Sequence, residues 1–264
     1  MITFGSMWAI VLRHAYVWKS DLNVMLYGFY WPLLDILIWG FLGSWIQRSN
    51  ITEFQNYEAV ALLGVLLWQV VGRGCNIIAM TFTEELWSNN VVNLFSLPLR
   101  TIEWIGGTIL WYVIMMFTTG LFCMSVIPIL YDVSLWYVLS TFLIFLPPLF
   151  FSGIWIGFTC LQIVTTLGKR GVELGNVVGW FLTPFCGAYY PISVLPSWGQ
   201  TLSTFLPMSY VFQGMREYVI YQQDPTPYLI KGYALSIAYA ACAVLLFVYC
   251  FNRSKNKGLA RLVD

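Results

Sequence analysis

Six stretches of this chain, residues 22–47, 57–83, 101–127, 134–164, 171–190 and 228–251, are each twenty or more residues long and largely apolar. A helix of about twenty such residues crosses the ~30 Å hydrocarbon core of a bilayer. Lipid offers no water to backbone N–H and C=O groups, so continuous apolar runs of this length are expected to cross as helices that satisfy their own hydrogen bonds. The rest of the composition agrees: only 9% of residues are charged, against about 25% in soluble domains. The expected fold class is an all-α membrane protein with six transmembrane helices, residues 1–264 forming one membrane domain without a sizeable soluble part.

The connections show how such helices are arranged. At about 100° per residue, Phe4, Trp8, Val11, Ala15 and Trp18 gather on one face of residues 4–20, with Ser6, Arg13 and Ser20 opposite. This pattern predicts an amphipathic helix at the membrane surface, with His14, the single histidine, near its border. No second ligand stands beside His14, and the six cysteines form no C-x-x-C pair, so neither a metal site nor a disulfide framework is expected. The first nineteen residues lack the basic-then-apolar order of a cleaved signal.

With the N-terminus in the cytoplasm, the inner segments carry Arg13, Lys19, Arg100, Lys169, Arg170, Arg253, Lys255, Lys257 and Arg261, and the outer ones only Arg48, Arg216 and Lys231. That asymmetry predicts both termini inside. It also constrains the tract "YYPISVLPSW" (residues 189–198), whose two prolines interrupt apolar sequence. If residues 199–215 crossed, the basic tail would lie outside. The tract is therefore expected to turn the chain back, with residues 191–215 dipping into the outer leaflet and returning near Arg216.

A second informative segment, "TEELWSNNVVNLFSLPLRTIEW", lies between the second and third spans. Trp87, Val91 and Leu94 form one stripe, and Glu85, Ser88, Asn89, Asn93 and Ser96 fill the rest. Thr83 before two acids reads as a helix start, and Pro98 as its stop. The expectation is a short cytoplasmic helix within residues 84–98.

Together these features resemble the permease subunits of type-2 ABC exporters, the family that includes drug-efflux, lipo-oligosaccharide and O-antigen export permeases. The resemblance covers nearly the whole chain. It is carried by the surface helix, six spans, the acid-led segment ending "SLPLR", and the order Tyr190-Pro191, Leu195-Pro196-Ser197-Trp198, Leu206-Pro207-Met208-Ser209-Tyr210 and Arg216. It implies a coupling helix over residues 84–95 seated on a separate ATPase subunit, with Glu84, Glu85, Trp87, Asn89, Asn90 and Asn93 at the contact. It also implies paired re-entrant helices after the fifth span, and a dimer of permeases, a homodimer being the simpler case. The localisation implied is a bacterial inner membrane.

No G-x-x-x-x-G-K-[ST] motif is present; around Gly168-Lys169-Arg170, Ile163 stands where the first glycine belongs and Arg170 where Ser or Thr belongs. The chain is thus expected to hold no cofactor, with ATP and Mg on the ATPase subunit. Nucleic acid is not an expected partner; membrane lipid is.

Two charges fall within spans. Asp35 stands 13 residues into the first and Arg73 10 residues before the end of the second, about 20 and 15 Å deep at about 1.5 Å per residue. Matched depth and the cost of an unpaired charge in lipid predict an Asp35–Arg73 ion pair. Tyr30, Trp39, Trp68, Trp180, Tyr189 and Tyr190 are candidates to line a pathway. The alternative reading is a proton-coupled secondary transporter using Asp35, which would leave the 84–98 segment without a task. A membrane-bound sugar transferase would need clustered carboxylates or histidines on a sizeable loop, which the sequence lacks.

Overall fold

The computed structural model describes residues 3–48, 57–131, 133–256 and 258; Lys257 and Arg261 of the basic tail lie outside the described residues. Every regular element among these residues is helical. In chain order they are α1 (Phe4–Ser20), α2 (Leu22–Arg48), α3 (Tyr57–Trp87), α4 (Val91–Ser96), α5 (Thr101–Leu130), α6 (Leu135–Leu167), α7 (Gly171–Phe181), α8 (Ser197–Thr204), α9 (Pro207–Tyr221) and α10 (Thr226–Asn256). Five helices, α2, α3, α5, α6 and α10, are long and apolar enough to cross a membrane.

α3 and α6 form the centre. Their backbones touch at Gly74 and Gly153, where neither residue has a side chain to hold the helices apart. α5 packs on α3, with the Tyr112 hydroxyl donating to the Val70 carbonyl at 2.8 Å. α2 and α10 flank this core and expose apolar side chains such as Phe41, Trp45, Leu245 and Tyr249.

One end of the bundle holds both ends of the described chain. There the Thr3 amide donates to Glu103 Oε1 at 2.9 Å, at the start of α5. Phe95 of α4 meets Phe251 near the end of α10, with centroids 4.7 Å apart. This is called the terminal end. The opposite end carries the ends of α2 and α5 and the starts of α3 and α6; the Tyr131 hydroxyl, just past α5, donates to the Ile36 carbonyl of α2 at 3.0 Å.

The stretch expected as a fifth span is not one continuous helix. α7 has 11 residues, about 16 Å of rise, and stops three residues before Pro184. A 3-10 turn, Thr183–Phe185, and Gly187 at φ 70° follow. The segment nevertheless runs from one end of the bundle to the other. Lys169 donates to Asn89 Oδ1 at 3.1 Å at the terminal end. Gly175 then lies against the Cys160 carbonyl, Ala188 against Gly64, and the Tyr189 carbonyl accepts from the Tyr57 hydroxyl at 3.0 Å.

Beyond it, α8 and α9 have 8 and 15 residues, short of the ~20 a crossing requires. Ser203 of α8 donates to the Phe185 carbonyl at 2.6 Å. α9 buries Met208, Val211, Phe212 and Met215. Arg216, read from sequence as a surface residue, is also buried: Nη1 donates to the Gly187 carbonyl.

α1 departs from its expected posture. Met7 and Ile10 seat on Gly106 and Gly107 of α5, so the buried face is Ile10, Val11 and His14, while Phe4 and Trp8 are exposed. Packing on α5 has displaced the face that the apolar pattern alone selects.

Candidate functional site

The residues expected to form one coupling helix are divided between two. α3 continues through Trp87, and Thr83, far from capping a helix start, is buried inside α3 with its hydroxyl donating to the Ala79 carbonyl at 3.0 Å. The break follows at Asn89, whose φ is 55°. The Asn90 amide donates to the Glu85 carbonyl at 2.9 Å and the Asn89 amide to the Leu86 carbonyl at 3.2 Å. This pair of bonds is the Schellman closure of a helix, with Asn in the left-handed position that glycine more often fills. α4 then runs six residues and ends before Pro98.

Two anchors hold this turn. Glu85, almost wholly buried, pairs with Arg13 of α1 at 2.6 Å and accepts from Asn90 Nδ2 at 2.8 Å. On the other side, Val91, Leu94 and Phe95 bury the inner face of α4 against a ring cluster that includes Phe82, Trp104 and Phe251. What remains exposed is a compact knob: Trp87, Asn89 and Asn93 face outward. Glu84 is half-exposed with Oε2 at 3.5 Å from His14 Nδ1. Of the six expected contact residues, Glu85 and Asn90 therefore build the knob rather than present it.

The expected Asp35–Arg73 ion pair is not made: among the described residues the one Arg or Lys paired with a carboxylate is Arg13, with Glu85, and His14 Nδ1 stands 3.5 Å from Glu84 Oε2. Asp35 Oδ2 instead accepts from Gln69 Nε2 at 2.9 Å, one turn of α3 away from Arg73. Arg73 donates through Nη2 to the Gly28 carbonyl. The reason lies in α2. Pro32 stands four residues after Gly28 and has no N–H, so the Gly28 carbonyl lacks its helical donor. Arg73 supplies one. Returning an N–H with Pro32→Ala should make that service redundant. Arg73→Gln should then lower the thermal unfolding midpoint less in the Pro32→Ala background than in the wild-type chain, with a coupling of about 1 kcal/mol. Equal losses in the two backgrounds would show that Arg73 does not serve that carbonyl.

Arg73 borders a cleft of about 410 Å³ between α1, α2, α3 and α5. Its walls include Trp18, Trp111, Met80 and Met115, and Trp31 and Trp180, both exposed, stand at its rim. His14 and Glu84 also line it. Sequence reasoning gave Arg73 and Glu84 other roles, set Trp18 and His14 on the surface helix and named Trp180 as a pathway-lining candidate; it did not join them, because five helices must come together before these residues share a cleft.

The remaining aromatic candidates lie elsewhere. Trp39 and Tyr189 stack at 4.3 Å with rings 2° apart, toward the opposite end. Tyr190 donates to the Pro184 carbonyl at 2.8 Å, and Tyr30 is exposed beside Trp31. Trp68 is buried in the bundle.

Neither a protein-family model nor a curated protein matches the chain.

Proposed function

We propose that this chain is the permease subunit of an ATP-driven exporter of the type-2 ABC class its sequence resembles. In this reading the terminal end lies in the cytoplasm of a bacterial-type cell, and two copies, most simply identical ones, form the pathway. A separate ATPase subunit binds ATP and Mg and drives outward transport of an amphipathic, lipid-linked or saccharide-type substrate or a drug.

The observation that carries the reading is the knob at the α3–α4 turn. A motor can transmit force only through a feature that does not yield. This one is fixed by the pairing of buried Glu85 with the partly exposed Arg13 of α1 and by a ring cluster on α5 and α10, yet it presents Trp87 and polar side chains outward. The broken passage from Gly171 to Tyr190 counts as the fifth of six crossings, which returns the basic tail to the side of the knob. α8 and α9, too short to cross, fit a re-entrant pair closing the outer end. Irregular backbone at membrane depth is tolerated where protein covers it, and the buried bonds of Ser203 and Arg216 supply such cover. The exposed apolar faces of α2 and α10 would meet lipid or the second copy.

Purification of the tagged chain from its own membranes in mild detergent should bring down a soluble P-loop ATPase in a stoichiometric complex. Repeated recovery of the chain without one would count against the exporter reading and in favour of a transporter that needs no motor.

A further inference from the structure

We propose that the cleft between α1, α2, α3 and α5 binds an anionic amphiphile, a phosphate head on a hydrocarbon chain, with Arg73 as the residue that holds the head. The site stands on the geometry below; that its ligand is cargo rests on the exporter reading.

Charge points to an anion. Arg73 has no carboxylate within 4.0 Å among the described residues, since Asp35 is engaged by Gln69 and Glu84 stands near His14. Eleven residues of α3 separate Glu84 from Arg73, about 16 Å along the helix. The acid is thus at the terminal-end mouth and the cation deep inside. A guanidinium carries five N–H donors, and the Gly28 carbonyl takes one side of it. A charge at such depth is costly without a counter-charge; a phosphate would supply it, with charge-assisted hydrogen bonds to the planar fork.

Shape and lining point to an amphiphile. The volume of about 410 Å³ lies in the lower part of the range of small-molecule sites, roughly 300–1,000 Å³. At about 30 Å³ per water-sized group it admits roughly a dozen, enough for a phosphate and the first part of a chain but not for a saccharide as well. Trp18, Trp111, Met80 and Met115 make its walls apolar beside the single deep cation. Methionine side chains adapt to irregular chains. The exposed rim at Trp31 and Trp180 lets the remainder of the chain lie outside, along α2 and α7.

The test uses the purified full chain in neutral maltoside detergent and a dodecyl phosphate bearing a terminal diazirine, with crosslinks mapped by mass spectrometry. Labelling is expected where the chain leaves the cleft, on the exposed turns of α2 and α7 beside Trp31 and Trp180, suppressed by excess dodecyl phosphate but not by dodecyltrimethylammonium. Arg73→Gln should raise the half-saturating concentration about tenfold, the loss of one charge-assisted bond. Because Arg73 also serves the Gly28 carbonyl, a second variant is needed. Met80→Trp, at a position 38% exposed, fills the cleft without removing Arg73 and should abolish the labelling in a chain that elutes as the wild type does. Undiminished labelling of Met80→Trp, or equal competition by the trimethylammonium compound, would overturn the proposal. Full competition by inorganic phosphate alone would overturn the amphiphile and leave a site for free phosphate. No ATPase enters this assay, so its failure leaves the exporter reading standing, and a failed co-purification leaves the site standing.

Discussion

Gly74→Val should leave little of the chain as a folded, monodisperse species. A Cβ at position 74 would lie 2.6 Å from Gly153 Cα, 2.7 Å from its carbonyl carbon and 2.9 Å from its oxygen. All three atoms are backbone, so nothing can rotate away; α3 and α6 must separate. These two helices form the centre of the bundle, and small residues are what lets membrane helices approach so closely. Overpacking in a close-packed core costs about 1–3 kcal/mol, more where backbone must move, against a total stability of roughly 5–15 kcal/mol for folded domains. Gly72→Ala is the matched control. Its added methyl would find only Trp68 Nε1, at 3.8 Å, and alanine in a helix interior is favoured over glycine by about 0.5–1 kcal/mol. Size-exclusion profiles and thermal midpoints in detergent should therefore move in opposite directions for the two variants. Equal tolerance of both would mean that α3 and α6 do not pack in this register.

If the exporter reading holds, Trp87→Ala should uncouple the chain from the ATPase subunit while leaving its fold intact. Trp87 is 57% exposed at the tip of the knob, so its removal leaves no cavity in the bundle. Tryptophan is among the residues that most often dominate an interface, with losses of about 2 kcal/mol or more on truncation, which is roughly thirtyfold in affinity. Retention of the ATPase in a pull-down, and transport with it, should fall by that order at an unchanged thermal midpoint. Glu85→Ala should behave differently. It removes the acceptor that Arg13 and Asn90 share inside the turn, so the thermal midpoint should fall together with ATPase retention. Normal association of Trp87→Ala would remove the knob from the motor interface.

The long helices were legible because their cause is local: twenty apolar residues in a row identify a crossing wherever their neighbours are. α2 and α5 begin at the expected residues and run one to three residues further. The same hydropathy concealed the break after Phe181, since it weighs Leu182, Phe185, Cys186 and Ala188 as apolar and is blind to Pro184 and to the positive φ of Gly187. The stop inside the expected coupling helix had a signal, the Asn89-Asn90 pair, which competed with a good apolar stripe and was outweighed by it. The charges failed for another reason. Depth is a single coordinate, and two residues at one depth need not face each other. Gln69 and the carbonyl orphaned by Pro32 were the true partners, and the second was readable from Pro32 alone. The cleft was legible only in single members such as Trp180 and Arg73, because its lining comes from five helices whose rotations are set by one another.

Export driven by a cytoplasmic ATPase requires the terminal end to face the cytoplasm. A peptide tag placed at Gly258 should be shielded from an impermeant reagent in intact cells and become reactive only after permeabilisation, whereas the same tag inserted after Gln223, in the α9–α10 connection, should react at once. Reaction of the Gly258 tag from outside intact cells would put the knob on the wrong side for an ATP-hydrolysing partner and contradict the exporter reading.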